Sequence, residues 1–374
     1  MKIKAAVIRQ MGLPQPYAQS RPMSIEEVDL APPQHREVLV QIKAASLCHS
    51  DLSTVNADRP RQMPMVLGHE ASGVVVECGP GVNDLEPGDH VVLVFAPSCG
   101  ECVSCKEGHP GRCEPGQKSN GAGTLLGGGI RLSQNGQPVY HHVGVSAFAD
   151  YCVVNRGSLV KIDKHLPFDE AAMFGCAVLT GVGAALNTAQ VFPGARVAVV
   201  GLGGVGLNAL LGAQVAGASQ VVAIDIHDDK LDLAKSLGAT DVINAKDPEA
   251  VQKVKELTSG GVDFGLEMAG SVQAMELAYR VTRRGGTTVT AGLPHPEARW
   301  PLQHVNLTAE ERTVKGSYVG SCVPPRDMPR YIDLYRKGRL PVNKLMSDHI
   351  TLDQINEGFD RLASGHTVRQ IIML

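Results

Sequence analysis

The chain has 374 residues, with 35 Lys and Arg against 38 Asp and Glu, a formal net charge of −3. This near-neutral balance excludes the basic surface that binds nucleic acid, and no stretch approaches the ~20 apolar residues of a membrane-spanning helix. The length exceeds one ordinary hydrophobic core, so two domains are expected. The first apolar run ends at Arg9 without a secretory signal, and the cysteine content suits a reducing compartment, so we expect a cytoplasmic protein.

Two kinds of local pattern divide the chain. The first 160 or so residues carry short β segments between glycine- and proline-rich turns, which predicts an all-β barrel or sandwich. From Arg196 onward, strands alternate with amphipathic helices, a pattern typical of a parallel α/β sheet. Asp247-Pro248 is predicted to begin one of these helices. The predicted strands are 37–43, 71–78, 90–95, 196–200, 221–225, 241–244, 262–267, 287–292 and 368–373, and the last two helices are 328–337 and 353–363.

A glycine motif follows the first strand of the α/β region. Gly201, Gly203 and Gly206 form a G-x-G-x-x-G turn that leads into a helix. The three glycines permit a tight turn, close approach to a pyrophosphate and close packing of helix on strand, respectively. The next strand ends in Asp225, 19 residues after Gly206, whose carboxylate can accept hydrogen bonds from ribose hydroxyls and repel a 2′-phosphate. The pattern predicts an NAD site, and a helix cap with an incidental acid is the alternative.

The cysteines fall into two groups. Four of the nine lie within a 15-residue window, and four thiolates around one tetrahedral zinc ion leave no open position. We therefore predict a structural zinc site, although an iron–sulfur cluster also uses four cysteines with different spacings and ordinary buried thiols remain an alternative. The four are Cys99, Cys102, Cys105 and Cys113.

A second, open metal site is suggested by Cys48, His69 and Cys176. Two thiolates and one imidazole would hold zinc with a vacant fourth position. From spacing alone the competing interpretation is that each cysteine is simply a packed side chain. Three other cysteines, Cys78, Cys152 and Cys322, are predicted to be packed thiols.

The His141-His142 pair and Trp300 are predicted to have structural roles and no part in the chemistry. His141-His142 is predicted to lie at the surface or in a loop and not to form a third metal site. Trp300, the only tryptophan, is predicted to contribute to a contact between subunits or within a barrel.

The segment from Gly68 to Val82 reads G-H-E-x-x-G-x5-G-x-x-V and resembles the signature of the zinc-containing alcohol dehydrogenases of the medium-chain dehydrogenase/reductase superfamily. The four-cysteine segment, the glycine turn, Lys315-Gly316 and Arg369 match the same family, so the resemblance covers nearly the whole chain. Residues 114–142 fill a loop that shorter tetrameric members lack. The chain is therefore most similar to the longer branch of liver-type and glutathione-dependent formaldehyde dehydrogenases.

This resemblance implies an α/β protein: a Rossmann doubly wound parallel sheet plus a mainly-β GroES-like catalytic domain. The catalytic domain is expected at residues 1–177 and 321–374, and the NAD-binding domain at 178–320. The implied activity is interconversion of a small alcohol and its aldehyde or ketone, with two zinc ions per chain and hydride transfer to or from NAD. A homodimer, favoured over a tetramer, is expected to form through residues 300–305 and 312–319.

The resemblance also implies roles for individual residues. Cys48, His69 and Cys176 would be the catalytic zinc ligands, with Asp51 orienting His69 and Glu70 assisting ligand exchange. Two residues would serve the substrate: the hydroxyl of Ser50 would bind the alcohol, and Phe95 would line its pocket. The residues expected at the cofactor are His49, Thr180, Gly201, Gly203, Gly204, Val205, Gly206, Asp225, Lys230 and Arg369.

Two positions depart from the family pattern. Ser53 stands where liver-type enzymes place the histidine that ends their proton relay, which leaves the terminal base open. Gln117 replaces the arginine that pairs with a glutathione carboxylate in formaldehyde dehydrogenases, and a neutral amide cannot supply that charge-assisted pair. We therefore expect an ordinary primary or secondary alcohol as substrate. The alternatives are a glutathione-dependent formaldehyde dehydrogenase and a non-catalytic nucleotide-binding relative.

Overall fold

The computed structural model describes residues 1–365 and 367–374, which divide into two compact units. The first unit contains Met1–Cys176, Val323–Arg330 and Met346–Leu374, and the second contains Ala177–Cys322 and Tyr331–Leu345. Unlike the predicted domains, these units assign Tyr331–Leu345 to the second unit.

The first unit is mainly β and contains two sheets. Its strands are rich in Val, Ile and Ala, which suit a pleated surface buried on at least one side. A closed barrel is formed, in spatial order, by Lys2–Ile8, Met23–Leu30, Leu132–Gln134, Gln137–His141 and Met65–Val66. The other sheet runs Leu159–Ile162, His90–Leu93, Ala71–Cys78, Glu37–Ser46, Arg369–Met373 and Met346–Thr351, with Tyr151–Asn155 paired to Glu37–Ser46.

Short helices cover the ends of these sheets. Leu47, Leu67, Phe148 and Phe359 are fully buried and belong to one apolar core, which the helix Ile355–Ala363 helps to close. The other α-helices of this unit are Tyr17–Ser20, His49–Val55, Val103–Lys106, Glu114–Ala122 and Phe168–Ala172. Its 3₁₀ turns are Pro110–Arg112, Arg156–Ser158, Met173–Gly175 and Leu352–Gln354. The helix Pro324–Arg336 begins in this unit and ends in the second.

The second unit is a doubly wound α/β fold. Its sheet is entirely parallel, in the order Asp241–Asn244, Gln220–Asp225, Arg196–Val200, Val262–Glu267, Thr282–Thr290 and Thr313–Gly316. The strand order reverses beside Arg196–Val200, and in such sheets ligands bind at the carboxyl ends of the strands at this reversal. The helical segments are Ala177–Gly183, Ala184–Ala189, Gly204–Val215, Asp228–Ser236, Ala250–Leu257, Val272–Val281, His304–Ala309, Val319–Ser321 and Val342–Leu345.

The structure confirms the predicted fold class and moves three helix starts. The helices predicted at 328–337 and 353–363 span Pro324–Arg336 and Ile355–Ala363. The helix predicted from Asp247-Pro248 begins instead at Ala250. Asp247 Oδ1 accepts a hydrogen bond from the Glu249 N–H at 2.8 Å, and the Asp247 carbonyl accepts one from the Ala250 N–H at 3.0 Å. The acid therefore closes a turn ahead of the helix, since Asp readily bonds the backbone two residues on.

Within residues 1–365 and 367–374, no single helix is long and apolar enough to cross a membrane. Phe168–Gly175 and Ala177–Ala189 reach the required length and apolarity only when the two segments are counted together.

Candidate metal centres and nucleotide site

The first unit brings together Cys48, His69 and Cys176. Their ligand atoms lie within 4.8 Å of one another, and all three side chains are buried. Nε2 of His69 is enclosed and has no hydrogen-bond partner among the described residues. A bare imidazole nitrogen beside two thiols fits a zinc ion, which binds neutral His and Cys thiolate and leaves a fourth position for substrate in open sites. Cys48 directly precedes the helix His49–Val55, His69 lies just before the strand Ala71–Cys78, and Cys176 directly follows the 3₁₀ turn Met173–Gly175.

Asp51 fixes the orientation of the His69 ring. Its Oδ1 lies 3.0 Å from His69 Nδ1 and accepts the Gly68 N–H at 3.2 Å, while Oδ2 accepts the Cys48 N–H at 3.2 Å. Burial alone would raise the pKa of Asp51, but the charge of His69 and the bonds from His69 and His142 outweigh burial and lower it. A carboxylate on Nδ1 selects the tautomer that leaves Nε2 available for a metal.

The charges around the two thiols favour a thiolate. The hydrogen bond from Cys176 and the charges of Arg369 and His69 lower the pKa of Cys48 well below its usual value, against the effect of burial. Arg369 is itself buried, and its Nη1 lies 3.2 Å from Oε2 of the buried Glu70. The ion pair thus places a guanidinium next to the metal-ligand cluster without leaving an uncompensated buried charge.

The remaining residues predicted around this centre occupy the same unit. His49 is the exposed first residue of the helix His49–Val55, and Ser50 is its half-buried second residue. The ring of Phe95 meets His69 edge-on, with 5.3 Å between centroids. Ser53 donates its hydroxyl to the carbonyl of His49 at 2.9 Å, an ordinary helical contact.

The four-cysteine segment forms a separate cluster in the first unit. The sulfur atoms of Cys99, Cys102, Cys105 and Cys113 lie within 4.8 Å of one another. Backbone N–H groups of Glu101 and Cys102 point at Cys99 Sγ at 3.4 and 3.3 Å, and against the effect of burial they lower the pKa of Cys99 to about 7. Four converging sulfurs with N–H donors fit a closed, structural zinc site.

The histidine pair is buried and not at the predicted surface, and only His142 lies in the predicted loop. His141 is fully buried and His142 is 2% exposed. His141 ends the strand Gln137–His141, and its Nε2 accepts the Arg131 N–H at 3.0 Å. Nδ1 of His142 lies 3.3 Å from Asp51 Oδ1. Sequence reasoning missed this neighbour of the candidate metal centre because an H-H pair carries no periodic or spacing signal that distinguishes buried from exposed histidine.

The second unit carries the glycine turn. Gly201 has a φ of 92°, and a Cβ there would lie 2.7 Å from the backbone nitrogen of Ala269. A Cβ on Gly206 would collide with the carbonyl oxygen of Gly201, whereas a Cβ on Gly203 would meet nothing within 4 Å. Gly201 and Gly206 are thus required by packing, and Gly203 borders open space at the start of helix Gly204–Val215, which fits backbone approach to a phosphate.

Asp225 lies at the end of the neighbouring strand and is held rigidly. Its Oδ2 accepts the Leu202 N–H at 2.6 Å, and its Oδ1 accepts the His227 N–H at 3.0 Å. Gly201 and Asp225 line a cavity of about 420 Å³ within this unit. The other predicted residues here are Val205 in helix Gly204–Val215, Lys230 in helix Asp228–Ser236 and the buried Thr180 in helix Ala177–Gly183.

A second residue that sequence reasoning missed is Glu267. This buried carboxylate accepts hydrogen bonds from the N–H groups of Ala269 and Gly270 at 2.8 and 2.6 Å and from Thr290 Oγ1 at 2.6 Å. It therefore shapes the turn that packs against Gly201. The only sequence signal was an acid at the end of a predicted strand.

The comparisons with known proteins cover both units. Residues 34–164 match the alcohol dehydrogenase GroES-like domain, and residues 204–337 match the zinc-binding dehydrogenase family. The chain is 38% identical to alcohol dehydrogenase 1 of Cenchrus americanus, over 100% of this chain and 98% of the relative. Two solved structures are similar to this chain over its full length. They are benzyl alcohol dehydrogenase from Acinetobacter calcoaceticus, with a TM-score of 0.93 to this chain, and an alcohol dehydrogenase zinc-binding domain protein from Burkholderia ambifaria, with a TM-score of 0.94. Each of these two is 34% identical, with 100% of this chain and 99% of that chain covered.

Proposed function

Because the chain belongs to the zinc-containing alcohol dehydrogenases of the medium-chain dehydrogenase/reductase superfamily, we propose that it interconverts a small-molecule alcohol and its aldehyde or ketone with NAD as the hydride carrier. The observation that carries this proposal is the buried cluster of Cys48, His69 and Cys176, which offers three metal ligands and leaves the fourth position of a tetrahedral zinc site to a substrate oxygen.

Different residues of the chain are proposed to have different roles in the reaction. Zinc held by Cys48, His69 and Cys176 would supply Lewis acidity that brings the pKa of a bound alcohol near neutrality, and NAD would accept the hydride. Asp51 keeps the proton of His69 on Nδ1. Ser50 is proposed to hydrogen-bond the alcohol and to start the proton relay, taking up the hydroxyl proton on Oγ while passing its own proton on. Phe95 is proposed to line the substrate pocket and Glu70 to assist ligand exchange.

The cofactor assignment rests on the glycine turn and Asp225. The open space at Gly203 supports close approach of a pyrophosphate to the backbone. Gly204 and Val205 are the first two residues of the helix, and their N–H groups are proposed to bind the pyrophosphate. The fixed carboxylate of Asp225 supports NAD over NADP. His49, Thr180, Lys230 and Arg369 are proposed as further cofactor contacts.

The substrate proposal excludes glutathione adducts. Gln117 is an exposed residue of the helix Glu114–Ala122 and is neutral, so it offers no charge-assisted pair to a glutathione carboxylate. A primary or secondary alcohol without an attached peptide is the class we propose. The benzyl alcohol dehydrogenase relative is a reason to include aromatic alcohols among those tested.

The remaining proposals concern the whole protein. We propose a reducing, cytoplasmic setting, since none of the nine cysteines is paired in a disulfide. Two zinc ions per chain are proposed, one for each cysteine cluster. The catalytic domain is proposed at residues 1–177 and 321–374 and the cofactor domain at 178–320, except that Tyr331–Leu345 belongs to the compact unit of the cofactor domain. A homodimer is proposed to form through the edge of the cofactor sheet.

One experiment tests the central proposal. Purified protein is assayed for zinc content and for reduction of NAD, followed by absorbance, with aliphatic, aromatic and terpenoid alcohols and with S-hydroxymethylglutathione. We expect two zinc ions per chain and turnover with at least one free alcohol but not with the glutathione adduct. One zinc ion per chain, or NAD binding without turnover of any alcohol, would contradict the proposal and favour a non-catalytic nucleotide-binding relative.

A further inference from the structure

Asp51 is contacted by a second buried histidine besides the proposed zinc ligand. Nδ1 of His142 lies 3.3 Å from Asp51 Oδ1, the same oxygen that lies 3.0 Å from His69 Nδ1 and accepts the Gly68 N–H. The His142 ring is not aligned for a well-formed hydrogen bond to Asp51. The imidazole therefore acts on the carboxylate mainly through its charge distribution. One backbone N–H and two imidazole nitrogens therefore converge on one carboxylate oxygen.

His142 also limits how the His69 ring can turn. The rings of His142 and His69 meet edge-on at 5.6 Å between centroids and 77° between planes, and Phe95 meets His69 in the same manner at 5.3 Å and 87°. The imidazole of His69 is thus enclosed by two rings and tied to Asp51. A rotation that moved Nε2 would have to displace one of these three side chains.

The backbone after His142 is bent to hold it there. Val143 has a φ of 43° and Ser146 one of 61°, both in the left-handed region that β-branched residues in particular avoid. The turn is closed by hydrogen bonds from the His142 N–H to Ser146 Oγ at 2.9 Å and from the Val145 N–H to the His142 carbonyl at 3.0 Å. Backbone strain of this kind persists only where the surrounding structure enforces it and is concentrated at functional sites.

A cation bound by Asp51, His69 and His142 is the competing explanation, since their ligand atoms also lie within 4.8 Å of one another. A cation there would need bare nitrogens facing Asp51. However, Asp51 Oδ1 already accepts the Gly68 N–H and lies at hydrogen-bond distance from His69 Nδ1, so the oxygen is used as an acceptor from donors. The observations favour a donor role for His142.

We propose that His142 is a positioning residue: by sharing Asp51 Oδ1 with His69, it keeps His69 Nε2 directed at the catalytic metal and slows loss of that metal. This inference rests on the proposed function for its relevance to catalysis. Its primary readout is metal retention, which is measured independently of turnover.

The test compares zinc release from three variants with the wild-type holoenzyme. His142→Phe keeps a ring of similar size but removes the donor, and His142→Asn keeps an N–H near the position of Nδ1. His141→Gln is the matched control, because His141 is the adjacent buried histidine, and glutamine retains an acceptor for the Arg131 N–H. Zinc transferred to a chromogenic chelator is followed over time, and thermal unfolding confirms that each variant is folded.

We expect His142→Phe to release one of its two zinc ions about 10-fold faster than wild type, because removing the direct partner of a metal-bound histidine costs ~10- to 100-fold in metal affinity and His142 acts one contact further out, through Asp51. The second zinc ion, assigned to the four-cysteine cluster, should leave at the wild-type rate and serves as an internal control. His142→Asn and His141→Gln should behave like wild type. If His142→Phe does not fold, His142→Gln replaces it, because its N–H reaches the position of Nε2 instead of Nδ1.

Three outcomes would overturn the positioning role. One is wild-type zinc release from His142→Phe, and another is equal acceleration in His141→Gln or His142→Asn. The third is a further zinc equivalent in wild type that His142→Phe lacks, which would identify the cluster as a cation site. Wild-type protein that holds two zinc ions but oxidises no alcohol would refute the proposed function without affecting the comparison of release rates.

Discussion

At the scale of single residues, Asp225 carries the proposed preference for NAD. Its two oxygens are held by the backbone of Leu202 and His227, so the carboxylate cannot turn away from a group beside it. A 2′-phosphate at the same place would meet a fixed negative charge, and like charges brought together cost several kcal/mol.

The variant Asp225→Gly should therefore shift the preference towards NADP. We expect the ratio of kcat/KM for NAD to that for NADP to fall at least ~10-fold, since about 1.4 kcal/mol corresponds to a factor of ten. Asp247→Gly is the control, because Asp247 lines the same cavity but pairs with Lys253 at 2.5 Å. A wild-type preference for NADP, or an unchanged ratio in Asp225→Gly, would show that Asp225 does not select the cofactor.

The glycine turn allows folding and cofactor binding to be separated. Gly203→Ala adds a methyl group in open space, so we expect unchanged thermal stability but weaker NAD binding measured by fluorescence titration. Gly206→Ala drives the same methyl group into the carbonyl of Gly201, so thermal stability should fall by about 1–3 kcal/mol, as for overpacked sites. Equal effects of the two substitutions on stability would contradict this division.

Residue spacing indicated the ligand types of both metal sites but not all of their neighbours. Cys48 and Asp51 are three residues apart on one helix, so their proximity follows from local structure. His142 lies 91 residues beyond Asp51, and its position depends on a turn with left-handed φ at Val143 and Ser146, residue types that do not predict such a turn.

At the scale of elements, the four-cysteine segment contains little regular structure that could hold it in place. It consists of the helix Val103–Lys106, the 3₁₀ turn Pro110–Arg112 and connecting turns, and Val103 is 69% exposed. Short helices of this length are not stable alone. Zinc binding would therefore supply much of the free energy that orders the segment.

The variant Cys105→Ser should remove the structural zinc selectively. We expect one zinc ion per chain instead of two, new protease cleavage within residues 99–113, and a loss of stability at the upper end for single substitutions, ~3 kcal/mol or more. Metal analysis, mass spectrometry of the cleaved fragments and thermal unfolding measure the three effects. Cys78→Ser is the control, since Cys78 belongs to neither cluster. Retention of two zinc ions in Cys105→Ser would contradict the assignment.

Four strands have their predicted bounds: Ala71–Cys78, Arg196–Val200, Asp241–Asn244 and Val262–Glu267. Short runs of strand-forming residues between turn signals define such elements locally. The helix Ala250–Leu257 starts later than the Asp247-Pro248 pair predicted. The Asp247 side chain accepts a hydrogen bond from the Glu249 N–H within a turn and does not cap the helix.

At the scale of the whole molecule, the proposed dimer uses the outermost strand of the parallel sheet. Within the described part of the chain, Thr313–Gly316 pairs only with Thr282–Thr290. Val314 in this strand is 36% exposed, and Val305 and Leu293 nearby in sequence are 59% and 52% exposed. An unpaired strand edge with exposed apolar side chains is suited to pairing with a second chain.

The variant Val314→Lys should weaken this dimer. A charge on an edge strand opposes pairing, so we expect dissociation to monomers at concentrations where wild type remains dimeric, measured by analytical ultracentrifugation. Val76→Lys is the control, since Val76 is 40% exposed on the strand Ala71–Cys78 of the first unit. A monomeric wild type, or a Val314→Lys dimer as tight as wild type, would rule out this interface.

The sequence by itself determined the fold class, the four-cysteine cluster and the glycine motif of the predicted nucleotide site. These depend on local properties: four cysteines within 15 residues can reach one ion, and G-x-G-x-x-G after a strand specifies its own turn. Only the tertiary structure decided that Cys176 meets Cys48 across 128 residues, that Tyr331–Leu345 belongs to the second unit, and that His142 is buried against Asp51. Contacts of this kind are set by the packing of whole elements, and no short-range pattern encodes them.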